Sequence, residues 1–130
     1  MIYGIGTDIV EIARIEKACD GNDHFLKRYY TKQEQKMIQQ RKKRGAACAA
    51  VNFAGKEAVA KSLKTGICTY VRLEQIEILR GKAGEPQVTL YGETKAYAEK
   101  CGVERIHVSL SDTSSVAIAY AVAEGKEQMN

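Results

Sequence analysis

The chain of 130 residues has one proline (Pro86), no tryptophan, two phenylalanines and two histidines. It also lacks a long apolar stretch. The longest uninterrupted run, 116–123, has eight residues, against the roughly 20 that a membrane helix needs. Asp8 and Glu11 come before the first basic residue, Arg14, so the start is unlike a signal or transit peptide. Neither membrane insertion nor secretion is expected. The four cysteines, Cys19, Cys48, Cys68 and Cys101, form no CxxC pair, and His24 and His107 are not at finger spacing. A disulfide scaffold and a zinc finger are thereby excluded. An intracellular protein with reduced thiols is expected.

What is present suits an ordinary globular domain. Hydrophobic residues make up 45% and charged ones 28%, a balance that excludes wholesale disorder. At this length a single domain spanning 1–130 is expected, burying roughly two thirds of the surface of the unfolded chain. Charge is unevenly placed. Residues 1–64 carry 13 Lys and Arg against 7 Asp and Glu, and residues 65–130 carry 7 against 9. The asymmetry points to an anionic partner for the first half, whether phosphate, nucleic acid or an acidic protein. Its densest stretch, Arg41, Lys42, Lys43 and Arg44, reads on its own as a solvated loop. A nucleic-acid module built on it would need stacking aromatics or a helix-turn-helix beside it. The sequence has no tryptophan and only two phenylalanines, although Tyr29 and Tyr30 are not far away; no nucleic-acid partner is expected.

Periodicity predicts a short strand at 2–6, broken by glycines, and an amphipathic helix at 11–18. Asp20, Gly21 and Asn22 form a turn. Thr31 and Glu34 have the spacing of a capping box, which predicts a helix to about residue 40. An alanine-rich helix follows at 46–63; Gly55 within it should cost about 1 kcal/mol relative to Ala, a cost that a close approach to the backbone would explain. Val71, Leu73, Ile76 and Ile78 shift phase, predicting a bulge or a late strand start. A hairpin around 81–86, a helix at 92–100 and two closing strands complete the order. This order reads as α+β, with helices packed on a mostly antiparallel sheet.

Three constellations carry chemistry. In Gly4-Ile5-Gly6-Thr7-Asp8, glycines precede a carboxylate at a predicted strand end, which suits a hard cation or a phosphate, though an aspartate there is as often a turn former or helix cap. Phe53, Glu57 and Lys61 share one helix face. The plain reading of Glu57 and Lys61 is an exposed ion pair worth about 0.3–0.5 kcal/mol; the sharper one is a metal carboxylate followed by an ammonium. His107, Ser109 and Ser111 line one face of a strand, which alone is an ordinary half-exposed edge.

Together these segments resemble the holo-[acyl-carrier-protein] synthases, the short class of 4′-phosphopantetheinyl transferases. The likeness runs through GIGTDIVEIARI (4–15), FLKRYYTKQE (25–34), FAGKEAVAKSLKTGI (53–67), the strand pair near 73–90 and HVSLSDTSSVAIA (107–119). Four positions depart from the usual pattern. Asn52 stands for an arginine, Gly55 for an alanine, Lys64 for a glycine and Asp112 for a frequent histidine; Asn52 and Lys64 bear on phosphate contacts.

The resemblance implies the 4′-phosphopantetheinyl transferase fold and Mg²⁺-dependent transfer of 4′-phosphopantetheine from coenzyme A to a serine of apo acyl carrier protein. Adenosine 3′,5′-bisphosphate would be released, and the reaction would support fatty acid biosynthesis in the cytoplasm. By the same resemblance Asp8 and Glu57 bind the metal, and Lys61 contacts the pyrophosphate. Either Glu57 or a water on the metal takes the serine proton. Thr65, Gly66, His107 and Ser109 are looser candidates for coenzyme A contacts. Arg14, with Lys17 beside it and Arg28 after it, docks the acidic carrier. A homotrimer with sites between subunits is implied.

Overall fold

The structure is a computed structural model and describes residues 1–126. Strand β1 (Ile2–Glu11) is followed by α1 (Ile12–Cys19), α2 (His24–Tyr29), α3 (Lys32–Gln40) and α4 (Gly45–Ser62). Then come β2 (Ile76–Arg80), β3 (Pro86–Leu90), α5 (Gly92–Lys100), β4 (Val103–Asp112) and β5 (Val116–Gly125). Strands β1, β5 and β4 form an antiparallel sheet in that order, and β2 and β3 a separate antiparallel hairpin. The class is α+β, as the patterning predicted. Among the described residues no helix is long and apolar enough to cross a membrane.

Helix α4 is the centre of the core. Of its 18 residues 13 are buried, so it is covered on most sides, and the face of Phe53, Glu57 and Lys61 is left partly open. The sheet covers it with small residues: Ala117, Ala119, Ala121 and Ala123 of β5 are all buried beneath it. Glycines bring the backbones closer still. A Cβ on Gly4 would lie 2.1 Å from Ser62 O, and one on Gly6 2.1 Å from Ala58 O. On the other flank a Cβ added to Gly55 would meet Ile78 Cδ1 at 2.5 Å and Leu110 Cδ2 at 3.1 Å. The mid-helix glycine thus marks a close approach, as its position suggested.

Two elements differ from the sequence reading. Strand β1 does not stop at Gly6 but pairs with β5 as far as Glu11, so Asp8 lies within a strand. The glycines fit a packed interface and do not break the strand. Helix α2 was not anticipated; its six residues end just before the Thr31 capping box, which is present as predicted. Val71 makes only an isolated bridge with Cys68, and a 3₁₀ turn at Leu73–Gln75 delays β2 until Ile76. The late start accounts for the phase shift.

A buried polar knot fixes α3 and the β2 region to α4. The Lys56 ammonium is fully buried and donates to Glu34 Oε1, Leu73 O and Ile76 O. The Glu34 carboxylate also accepts from Thr31 N, Asn52 Nδ2 and Ile78 N, each at 3.0 Å. All three ammonium protons and both carboxylate oxygens are therefore engaged, the condition for burying such a pair.

Candidate active site

Asp8 lies opposite Ala119 of β5, on the face of the sheet that α4 covers. Two residues earlier, Gly6 lets the C-terminal half of α4 settle onto β1. That contact brings Glu57 and Lys61 to the Asp8 carboxylate. Lys61 Nζ donates to Asp8 Oδ1 at 3.1 Å and to Thr7 O at 3.0 Å. The plain reading of Lys61, an ion pair with Glu57 one turn away, does not hold: its partner is on β1.

Burial pushes the Glu57 carboxyl above its ordinary value, and the negative charge of Asp8 pushes it further, while Lys61 partly offsets both. Two carboxylates are thus close enough to repel one another. A hard dication between them would relieve that repulsion. Among the described residues no group of three or more His, Cys, Asp or Glu is arranged to hold a metal. A two-carboxylate set fits Mg²⁺, which keeps several waters and takes substrate phosphates for its remaining positions.

The other candidates fall elsewhere. Thr65 and Gly66 form the turn beyond α4, where Gly66 adopts φ +64° and donates from its N–H to Ala60 O. Lys64, just before them, also has a left-handed φ of 72°, and its Nζ sits 4.2 Å from the centroid of the Tyr3 ring. His107 and Ser109 alternate outward, onto the sheet face opposite Asp8. There His107 Nε2 lies 3.1 Å from Glu124 Oε1, and Ser109 is opposite Tyr120. One chain alone therefore does not bring them to the carboxylate pair. Arg14 and Lys17 are exposed on α1 and Arg28 on α2.

Sequence reasoning missed a second cationic place. A recess of about 200 Å³ between the start of α4 and β2 is lined by Arg41, Arg44, Arg80, Pro86, Leu110 and Asp112. The 41–44 run signalled half of it. Arg80 carried no signal, because only the β2–α4 packing brings it there.

The chain matches the model of the 4′-phosphopantetheinyl transferase superfamily over residues 4–121. It is 44% identical over 124 residues to the holo-[acyl-carrier-protein] synthase of Lachnoclostridium phytofermentans, covering 95% of this chain and 97% of that one. The crystal structure of the holo-[acyl-carrier-protein] synthase from Neisseria meningitidis has a TM-score of 0.87 at 34% identity, covering 95% of this chain and 99% of that one. The Helicobacter pylori enzyme in complex with coenzyme A has a TM-score of 0.81 at 30% identity, covering 92% and 99%. With a fold and length shared nearly end to end, the chain belongs to the 4′-phosphopantetheinyl transferase superfamily, in the family of holo-[acyl-carrier-protein] synthases.

Proposed function

We propose that the chain transfers 4′-phosphopantetheine from coenzyme A to a serine of apo acyl carrier protein, releasing adenosine 3′,5′-bisphosphate, in the cytoplasm and in support of fatty acid biosynthesis. One observation carries the reading: Asp8, Glu57 and Lys61, from two distant parts of the chain, meet at one point. The serine oxygen attacks the phosphorus bearing pantetheine, and the bond from that phosphorus to the bridging oxygen breaks. Negative charge then grows on the departing bisphosphate. Such a reaction is helped mainly by positioned charge.

Each residue has a part. Asp8 and Glu57 would hold Mg²⁺, which when bound supplies positive charge to the pyrophosphate. Lys61 brings an ammonium on a flexible stem to the same group. Either Glu57 or a water on the metal would take the serine proton. Arg14, Lys17 and Arg28 form the carrier-facing surface. Thr65, Gly66, His107 and Ser109 contribute to coenzyme A binding.

A homotrimer with the pocket between subunits belongs to the same reading. The outer face of the sheet supports it. Ile5 (56% exposed), Ile9 (63%), Ile118 (43%) and Tyr120 (46%) lie there in neighbouring registers. A contiguous apolar patch of this kind marks an association surface. If His107 and Ser109 act on coenzyme A, they act from this face and so across a subunit boundary.

The test is direct. Apo carrier protein mixed with the protein, coenzyme A and Mg²⁺ should gain the mass of one phosphopantetheine per chain. No gain with active carrier would remove the reading.

A further inference from the structure

A cleft of about 660 Å³ opens where the start of α3 faces β2 and β3, and none of its lining residues belongs to the Asp8, Glu57 and Lys61 cluster. Its size is that of a small-ligand pocket. Tyr30, Thr31, Glu74, Glu77 and Tyr91 line it, and the exposed Lys27 and Lys32 stand at its rim.

The wall of this cleft holds a buried charge without a counter-charge. Glu77 is only 4% exposed. Thr31 Oγ1 donates to its Oε2 at 2.6 Å, and the Tyr91 hydroxyl donates to its Oε1 at 2.9 Å. Thr31 Oγ1 also accepts from Glu34 N, which leaves its own proton for Glu77. The bond to Glu77 raises the Tyr91 hydroxyl above its ordinary value, so that proton stays in place as well. With both oxygens accepting, Glu77 stands there as a carboxylate. Among the described residues no cation lies within ion-pair distance of it. The Lys56 ammonium is near enough to feel its charge, but its three protons go to Glu34, Leu73 O and Ile76 O. Two buried carboxylates thus share one buried cation, where each would ordinarily have its own.

The charges around the mouth are largely taken. Lys27 is paired with Asp23 and Glu74 with Arg72. A carboxylate has about four lone-pair sites, and at Glu77 two hydroxyls fill two of them. Each oxygen keeps room for one more donor.

We propose that the cleft binds a small primary amine in its ammonium form, with the charge at Glu77 and Glu74 and the carbon chain along the Tyr91 ring. The inference goes beyond the transfer reaction and does not rest on it. A compact ammonium fits better than a guanidinium, whose planar fork needs two parallel open sites; here each oxygen already carries a hydroxyl. The rings of Tyr30 and Tyr91 suit an alkylammonium better than the hydrated shell of a Mg²⁺ ion. Tyr91, 42% exposed, leaves the chain a way in.

The probe is butylammonium chloride, titrated at low ionic strength and followed by amide NMR shifts and by melting temperature. Sodium chloride at equal ionic strength tests charge without a chain, and 1-butanol tests a chain without charge. Butylammonium should saturate, move the resonances around Thr31, Glu77 and Tyr91, and raise the melting temperature by mass action. Neither control should do so. Glu77→Gln keeps the shape and removes the charge; it should weaken butylammonium binding by about tenfold or more and abolish the thermal gain. Lys32→Glu, at an exposed position, adds negative charge at the rim and should tighten binding by about twofold to fivefold. If Glu77→Gln does not fold, the Lys32→Glu comparison decides. No saturable binding by the wild-type protein overturns the proposal, as does an equal response to sodium chloride or 1-butanol. So does an unchanged affinity in folded Glu77→Gln or in Lys32→Glu.

Discussion

The Lys61 ammonium turns from Glu57, its neighbour one helical turn away, to the Asp8 carboxylate on β1, 3.1 Å distant. It occupies the place where a metal cation would draw on the same oxygen. On the proposed reading, Lys61 would compete with the metal before substrate arrives and meet the pyrophosphate afterwards. We expect Lys61→Met to leave Mg²⁺ affinity without coenzyme A unchanged or up to about fivefold tighter, the scale of a partly exposed pair. Turnover should fall far more than coenzyme A binding, because the ammonium acts on charge that develops in the transition state. Weaker Mg²⁺ binding by calorimetry would contradict the competition. A raised KM at unchanged kcat would make Lys61 a binding residue only.

Asp8→Asn and Glu57→Gln each remove half of the protein's negative charge at the proposed metal position. Each should abolish most carrier modification and weaken Mg²⁺ binding, while the circular dichroism spectrum and melting temperature stay near wild type. Normal turnover in either variant would take that residue out of the metal set.

Arg14 is exposed on α1, on the half of the chain that carries the positive surplus. Rim charges mainly steer encounter, and their effect falls with salt over a Debye length of about 8 Å at physiological ionic strength. Arg14→Glu should slow association with the acidic carrier, flatten its salt dependence and leave coenzyme A affinity unchanged. Equal salt slopes and affinities for both proteins would return Arg14 to an ordinary solvated face.

Lys56 neighbours Glu57 in sequence but belongs to the fold. Lys56→Met leaves Glu34 buried with its charge and deprives Leu73 O and Ile76 O of their donor. We expect a loss of about 3–5 kcal/mol in denaturant unfolding, several times that of an exposed pair. A change below about 1 kcal/mol would mean that the knot contributes little.

Lys64 holds a left-handed backbone, which is costly for a residue with a Cβ, and offsets part of that cost against the Tyr3 ring. Lys64→Gly and Lys64→Ala both lose the ring contact, but only glycine relieves the backbone. Lys64→Gly should therefore be more stable than Lys64→Ala by about 1 kcal/mol. Equal melting temperatures would show that the turn relaxes.

Local signals in the sequence were read correctly where one element suffices. The Thr31 capping box, the long α4 and the shared face of Phe53, Glu57 and Lys61 depend on neighbours within a few positions. What was not legible depends on partners far along the chain. Nothing local shows that Gly4 and Gly6 serve α4 contact within a continuing strand, since Ser62 and Ala58 are the reason. Arg80 is likewise one charge among many until the hairpin packs beside Asn52. His107 and Ser109 were rightly placed together on one strand face, but only the register with β1 and β5 shows that it is the face opposite Asp8.

The middle strand of the main sheet, β5, is the last of the described strands along the chain, and β1, the first, has no other partner in that sheet. On a translating ribosome adding roughly 5–20 residues per second, Asp8 emerges early. It then waits on the order of ten seconds for Ala119, its register partner, to be made. Until then the alanine-rich side of α4 has no sheet to cover it. A nascent chain stalled short of β5 would present that helix to chaperones and hold no assembled carboxylate pair, so the enzyme's first and last strands become competent together.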